Sequence, residues 1–222
     1  ISEHFPRLAN LAHKYAIVRS LTHDDPAHLS SAHHILTGHY APRRFSDADP
    51  PSRDDWPHIG SVIAQLRPSD GTLPSFVTMP WTVSHPAAPG GRAPGQTGGW
   101  LGSRLDPMTV SDPAEQGFRV EGFELPPELG VERFAGRQAL LASAESPGLG
   151  SDWRTGAAAE WSGLTERAFH LLSGRSATKA FDLRQEASAV RDRYGRNTHG
   201  QSLLMARRLV EAGADALLVF QP

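Results

Sequence analysis

Ala16-Ile17-Val18-Arg19-Ser20-Leu21-Thr22-His23-Asp24-Asp25-Pro26-Ala27-His28-Leu29-Ser30-Ser31-Ala32-His33-His34-Ile35-Leu36-Thr37-Gly38 reads as a strand, a turn and a helix. Ala16 to Val18 is the short apolar run that a parallel strand covered on both faces requires. Thr22 to Ala27 is polar and holds a proline, so it is predicted to be the loop at that strand's C-terminal end. Leu29 to Leu36 is helix-compatible, and Gly38 stands where a left-handed C-cap belongs. Downstream the alternation repeats. His58 to Leu66 puts Ile59, Val62, Ile63 and Leu66 on one helical face, Ser75 to Met79 reads as a second parallel strand, and Ala216 to Phe220 as a buried third. Strands alternating with helices at this spacing predict an α/β layered sheet, in which ligands gather at the C-terminal edges of the strands.

The remaining segments fill in a single domain over 1–222. Ser2 to Tyr15 is predicted as a helix carrying Phe5, Leu8, Leu11 and Ala12 at helical spacing. Tyr40 to Pro57, with four prolines and several aspartates, is an irregular loop pinned by Trp56. Between Pro86 and Gly102 nine of 17 residues are Gly or Pro. That density marks an irregular insertion at about 84–117, either a lid or a plain linker. Phe118 to Val120 is a short strand candidate. Helices are expected over Glu132–Ala144 (Phe134, Leu140 and Leu141 inward), Ala158–Leu172 (Trp161, Leu164, Ala168 and Leu171 inward), Ala177–Phe181 and Glu186–Tyr194. A last helix over Gln201–Ala212, with Leu203, Ala206, Leu209 and Val210 inward, stops at Gly213. The chain opens on Ile1 without a basic-then-apolar leader and stops two residues after its last strand, so it reads as the central part of a domain.

Composition excludes several classes of function. With 22 Lys plus Arg against 24 Asp plus Glu, the net charge of -2 offers no field for nucleic acid or an anionic membrane. No apolar run reaches the roughly 20 residues of a membrane span. The absence of cysteine removes disulfides, thiolate metal sites and thiol nucleophiles, and gives no redox address.

Five of the 11 histidines (His23, His28, His33, His34 and His39) crowd into the first turn and the helix after it. Neutral imidazoles beside carboxylates are what a borderline divalent cation selects, and a loop can fold His23, Asp24 and His28 toward one point. The spacing matches no standard zinc signature, and histidines in such a turn also cap helices or bond to carbonyls. The helix opening offers a second possibility. Its free N–H groups and dipole ease ionisation of a hydroxyl, and Ser30 lies three and four residues before His33 and His34. Simple N-capping by Ser30 or Ser31 is the structural alternative. The turn is expected to lie open at the sheet's rim with its imidazoles aimed at a common cavity.

The string Ala16–His23, then His28 followed by Ser30-Ser31-Ala32-His33-His34-Ile35-Leu36-Thr37-Gly38-His39, resembles the bacterial sulfatase-like family known as domain of unknown function 1501. Trp56–Val62, Ala168-Phe169, Ala180–Leu183, Arg191–Gly195, Gly200–Ser202 and Ala206–Gly213 resemble it as well, in order and nearly end to end. The resemblance implies an alkaline phosphatase-like layered fold, with a mostly parallel sheet flanked by helices and incomplete in this chain. It also implies a superfamily that cleaves phosphate or sulfate esters at a metal centre. Export by a twin-arginine signal, and hence a periplasmic or extracytoplasmic location, is likewise implied.

In related phosphatases and sulfatases the nucleophile lies about ten residues before the glycine of a Thr-Gly pair, and here that position is His28. Four alternatives follow: His28 binds the metal, Ser30 attacks instead, a metal-activated water attacks, or catalysis is lost. The leading expectation is a fragment of a metal-dependent sulfatase-like or phosphatase-like hydrolase acting on a small anionic ester. His23, Asp24 and His28 would line a zinc, manganese or calcium site, with Ser30 as candidate nucleophile and His28 beside it. Arg43 or Arg44 would hold the ester's anionic oxygens. In isolation the chain is expected to hold too few ligands to be active. The alternatives are a non-catalytic extracytoplasmic binding or scaffold protein and a histidine-rich metal-sequestering module.

Overall fold

The computed structural model describes residues 1–68, 73–86, 91–120, 129–144, 165, 168–169 and 175–220. In chain order its regular elements are α1 (Pro6–Ala9), α2 (His28–Thr37), α3 (Ile59–Leu66), β1 (Phe76–Met79), β2 (Met108–Thr109), α4 (Val131–Ala144), α5 (Arg175–Phe181), α6 (Ser188–Tyr194), α7 (Thr198–Glu211) and β3 (Ala216–Val219), with short 3-10 turns between.

The three strands form one parallel sheet in the order β2-β1-β3. Phe76 faces Ala216 and Met79 faces Val219 in register, while Val77 pairs with Met108 on the other side. All four residues of β1 are buried, as the central strand of a two-sided layer must be. Its side chains alternate between two apolar clusters. Val77 and Met79 pack with Phe181 of α5 and Leu204, Met205 and Leu209 of α7. Phe76 packs on the opposite face with Ala64 of α3, Leu105 and Ala216. The chain is therefore an α/β protein with helices on both faces of a parallel sheet. Among the described residues no helix is long and apolar enough to cross a membrane.

Small residues set how two helices sit. A Cβ built on Gly60 would lie 2.6 Å from the Phe76 ring, so α3 descends onto the sheet through Gly60, Ser61 and Ala64. Ile59 and Leu66, expected inward, are 59% and 75% exposed. In α7 a Cβ on Gly200 would meet the Tyr194 carbonyl oxygen at 2.1 Å, so that side of the helix presses onto the turn after α6. Gln201, Ser202, Leu204 and Met205 consequently face inward, and the expected Leu203 and Val210 face out.

Other expectations need correction. Ala16–Val18 is not a strand: Ile17 and Val18 are 56% and 70% exposed. A strand must pair its backbone groups, and none of the three strands pairs with residues 16–18. Residues 2–15 hold only α1 and a 3-10 turn at Ala12–Lys14, and none of residues 1–24 is buried. A short helix without a buried face is marginal in water. Phe118–Val120 is not a strand either, although Phe118 and Val120 pack against the core. Leu140 of α4 faces solvent, whereas Phe134 is buried as expected. The irregular 84–117 stretch is no appendage: it supplies β2 and buries Ala93, Gln96, Leu105 and Val110. The helix expected over 158–172 lies almost entirely outside the described residues; Ala168, expected inward, is exposed.

Candidate functional site

The N-terminus of α2 is fastened to the loop after it by a row of hydrogen bonds. The Leu29 N–H donates to Asp47 Oδ1 at 2.9 Å, the Ser30 N–H donates to the Ser46 carbonyl at 3.2 Å, and the Ser46 N–H donates to Ser30 Oγ at 3.2 Å. Asp25, almost wholly buried, accepts the N–H groups of Ala27 and Phe45 at 3.1 and 3.2 Å. Burial pushes the Asp25 carboxyl up, but hydrogen bonds from the Ser30 hydroxyl, Phe45 and Ala27 outweigh it and leave it below the usual carboxylate range. Phe45 adopts φ +60° at this corner, a left-handed conformation unusual for a bulky residue, where its N–H reaches Asp25.

The loop beyond β1 approaches from the other side. Gln96 clamps it: its Nε2 donates to the carbonyls of Val83 and Ala93, both at 2.8 Å, and its Oε1 accepts the Val83 N–H at 2.6 Å. Leu29 packs onto Val83 and Ala93. That contact brings His28, at the start of α2, against His85, six residues past the C-terminal end of β1. The two imidazoles stack with centroids 4.7 Å apart and planes 22° apart. Asp47 Oδ2 lies 3.3 Å from His28 Nδ1. Each of His28, Asp47 and His85 offers a ligand atom within 4.8 Å of the other two. The Leu29 N–H first, and then His28, hold the Asp47 carboxyl below its ordinary range, so it is an anion at neutral pH.

Two imidazoles and a carboxylate are donor types that zinc sites use. The chemistry of these residues fits a borderline divalent ion. Bound donors lie roughly 2.0–2.2 Å from zinc, so their spacing stays below about 4.4 Å, and a small swing of the exposed His28 side chain closes the difference.

The structure rearranges the expected site. His28 is retained, but His23 stays exposed in the coil and Asp24 is bonded by Arg44 at 2.6 Å. Arg44 holds the Asp24 carboxyl below its usual range and lies over the Tyr40 ring, 4.1 Å from its centroid. Arg43 pairs with Asp49. Both arginines expected to bind an anion are thus neutralised by aspartates. Ser30 is 2% exposed, with its hydroxyl committed to Asp25 and the Ser46 N–H, so its proton is not delivered to His33 or His34 and it is not placed to attack an ester. The five imidazoles do not share a cavity. His34 leans on Tyr40, His39 stacks on Trp56 with centroids 3.7 Å apart, and His33 is fully buried with Nδ1 donating to the His39 carbonyl. Asp47 and His85 were not among the expected ligands. His85 had a signal, since it follows the one early strand that formed, at the sheet edge where ligands collect. Asp47 had none within an aspartate-rich loop.

A protein-family model, described as a protein of unknown function (DUF1501), matches residues 1–221. The chain belongs to this family. No curated protein and no solved structure matches it. In this DUF1501 chain the segments quoted for the resemblance include helix α2, which carries His28.

Proposed function

We propose that this DUF1501 chain carries the metal centre of a sulfatase-like or phosphatase-like ester hydrolase, with His28, Asp47 and His85 as its ligands. The observation that carries the reading is the convergence of those three donors, His85 coming from the loop that follows β1. A bound divalent ion supplies Lewis-acid charge for the anionic oxygens of an ester. The chain's own groups prepare the site. The Leu29 N–H and the N-terminal end of α2 hold Asp47 ionised, and Asp47 orients the His28 ring. Exposure of His28, 73% for its side chain, leaves the site open to a small substrate.

Zinc titration by calorimetry tests the ligand set. One equivalent binds to the chain, and His28→Ala, Asp47→Asn or His85→Ala weakens it at least about tenfold, while His23→Ala leaves it unchanged. Equal affinity in all four variants would refute the assignment. Hydrolysis of aryl phosphate and aryl sulfate with zinc present then tests the chemistry. The engagement of Ser30, Arg43 and Arg44 favours a second reading, a metal-holding protein without catalysis, and zinc binding without hydrolysis would select it.

A further inference from the structure

Two segments that the metal centre leaves unused meet beyond β2: Arg191 to Gly195 at the close of α6, and Gly200 to Ser202 at the opening of α7. Gln201 is 0% exposed, and both ends of its amide are bonded. Its Nε2 donates to the carbonyls of Arg191 at 3.2 Å and Gly195 at 2.8 Å, and its Oε1 accepts the Nε–H of Arg191 at 2.8 Å. The buried amide thus fixes the guanidinium in one place. Arg191 is half-buried and lines a cavity of about 340 Å³ together with the apolar Phe118 and Phe181 and the charged Glu115, Arg119, Asp182 and Arg184, so three cations face two carboxylates. The cavity opens on residues 113–120, the stretch that follows the C-terminal end of β2, where parallel-sheet proteins place ligands.

Among the described residues no carboxylate pairs with Arg191. Asp182 is bonded by Arg184 at 2.7 Å, and Asp192 by Arg196 at 2.5 Å. The side-chain hydrogen-bond partner of Arg191 is a neutral amide, and the neighbouring Asp192 acts on it only through its field while bonded by Arg196, so an anion entering the cavity would find the guanidinium without a hydrogen-bonded carboxylate. We propose that this cavity binds a small organic anion, its carboxylate or phosphate group on Arg191 and its apolar body against Phe118 and Phe181. The site is separate from the metal centre and needs no metal.

Calorimetric titration of the chain, with EDTA present, by phenyl phosphate, benzoate and the neutral benzyl alcohol tests this. At least one of the two anions is expected to bind with a Kd below about 1 mM and at least tenfold more tightly than the alcohol. Arg191→Met, checked for folding by circular dichroism, is expected to lower the anion's affinity to that of the alcohol. The first comparison uses the unaltered protein and holds whether or not the variant folds. Failure of both anions to bind, equal binding of anion and alcohol, or undiminished binding to a folded Arg191→Met variant would each overturn the proposal.

Discussion

His58 couples the stability of the fold to acid, by an amount the structure sets. It caps α3: its Nδ1 accepts the Gly60 N–H at 2.8 Å, so the ring's proton resides on Nε2. The residue is 3% exposed, stacks on Phe76 with centroids 4.6 Å apart, and offers its buried Nε2 no partner. Burial lowers its pKa from 6.5 to about 4. The unfolded chain therefore takes up the proton first as pH falls. The stabilisation is complete above pH 6.5 and drains away between 6.5 and about 4, which amounts to about 3 kcal/mol. Protonation at Nδ1 would also displace the capping bond. The perturbation is His58→Asn, which keeps a good capping acceptor without a titrating group. Urea unfolding followed by circular dichroism, at about pH 7.5 and about pH 4, measures the difference. The unaltered protein is expected to lose about 3 kcal/mol more than the variant over that range. The buried His33, whose pKa burial also lowers, is common to both proteins and cancels. Parallel pH dependences in the two proteins would refute this account of His58.

Three further outcomes follow from packing and hydrogen bonding. Gly60→Ala drives a methyl group against the Phe76 ring and costs about 2 kcal/mol, seen as a Tm lower by about 6 °C; an unchanged Tm would contradict the close approach of α3 to β1. Arg208 donates to the Ala180 and Lys179 carbonyls at 3.0 and 2.6 Å and to Glu186 at 2.5 Å, tying α7 to the last turn of α5. Arg208→Lys loses that fork and costs about 2 kcal/mol in urea unfolding, whereas a purely electrostatic role predicts no loss. Ser30→Ala removes a buried hydroxyl, lowers stability by about 1–2 kcal/mol and leaves any ester hydrolysis at saturating zinc unchanged; loss of hydrolysis with stability intact would restore it as the nucleophile.

The parts legible in the sequence were those that local chemistry decides. Gly38 and Gly213 end their helices at φ +77° and +102°, and α2, α3, β1 and β3 lie where hydrophobic spacing predicts them. Which face each helix buries was not legible, because Gly60 and Gly200 act through a distant ring and a neighbouring turn that spacing does not reveal. The candidate metal site was half legible. His28 stands at the predicted helix opening, but its partners arrive from positions 47 and 85, brought in by Leu29, Ser46 and the Gln96 clamp. Clustering along the chain was misleading, since successive residues of a helix point around its axis. His33, His34 and His39 accordingly reach three different surroundings.

The place of β1 between β2 and β3 bears on how the molecule is made. Synthesis delivers β1 and β2 well before β3 and the Leu204, Met205 and Leu209 of α7 that cover β1. Pairing across so long a stretch of chain is slow to nucleate. In the interval the central strand waits on the nascent polypeptide with one edge open, a template for wrong partners. The yield of native protein is therefore expected to respond to growth temperature and chaperone supply.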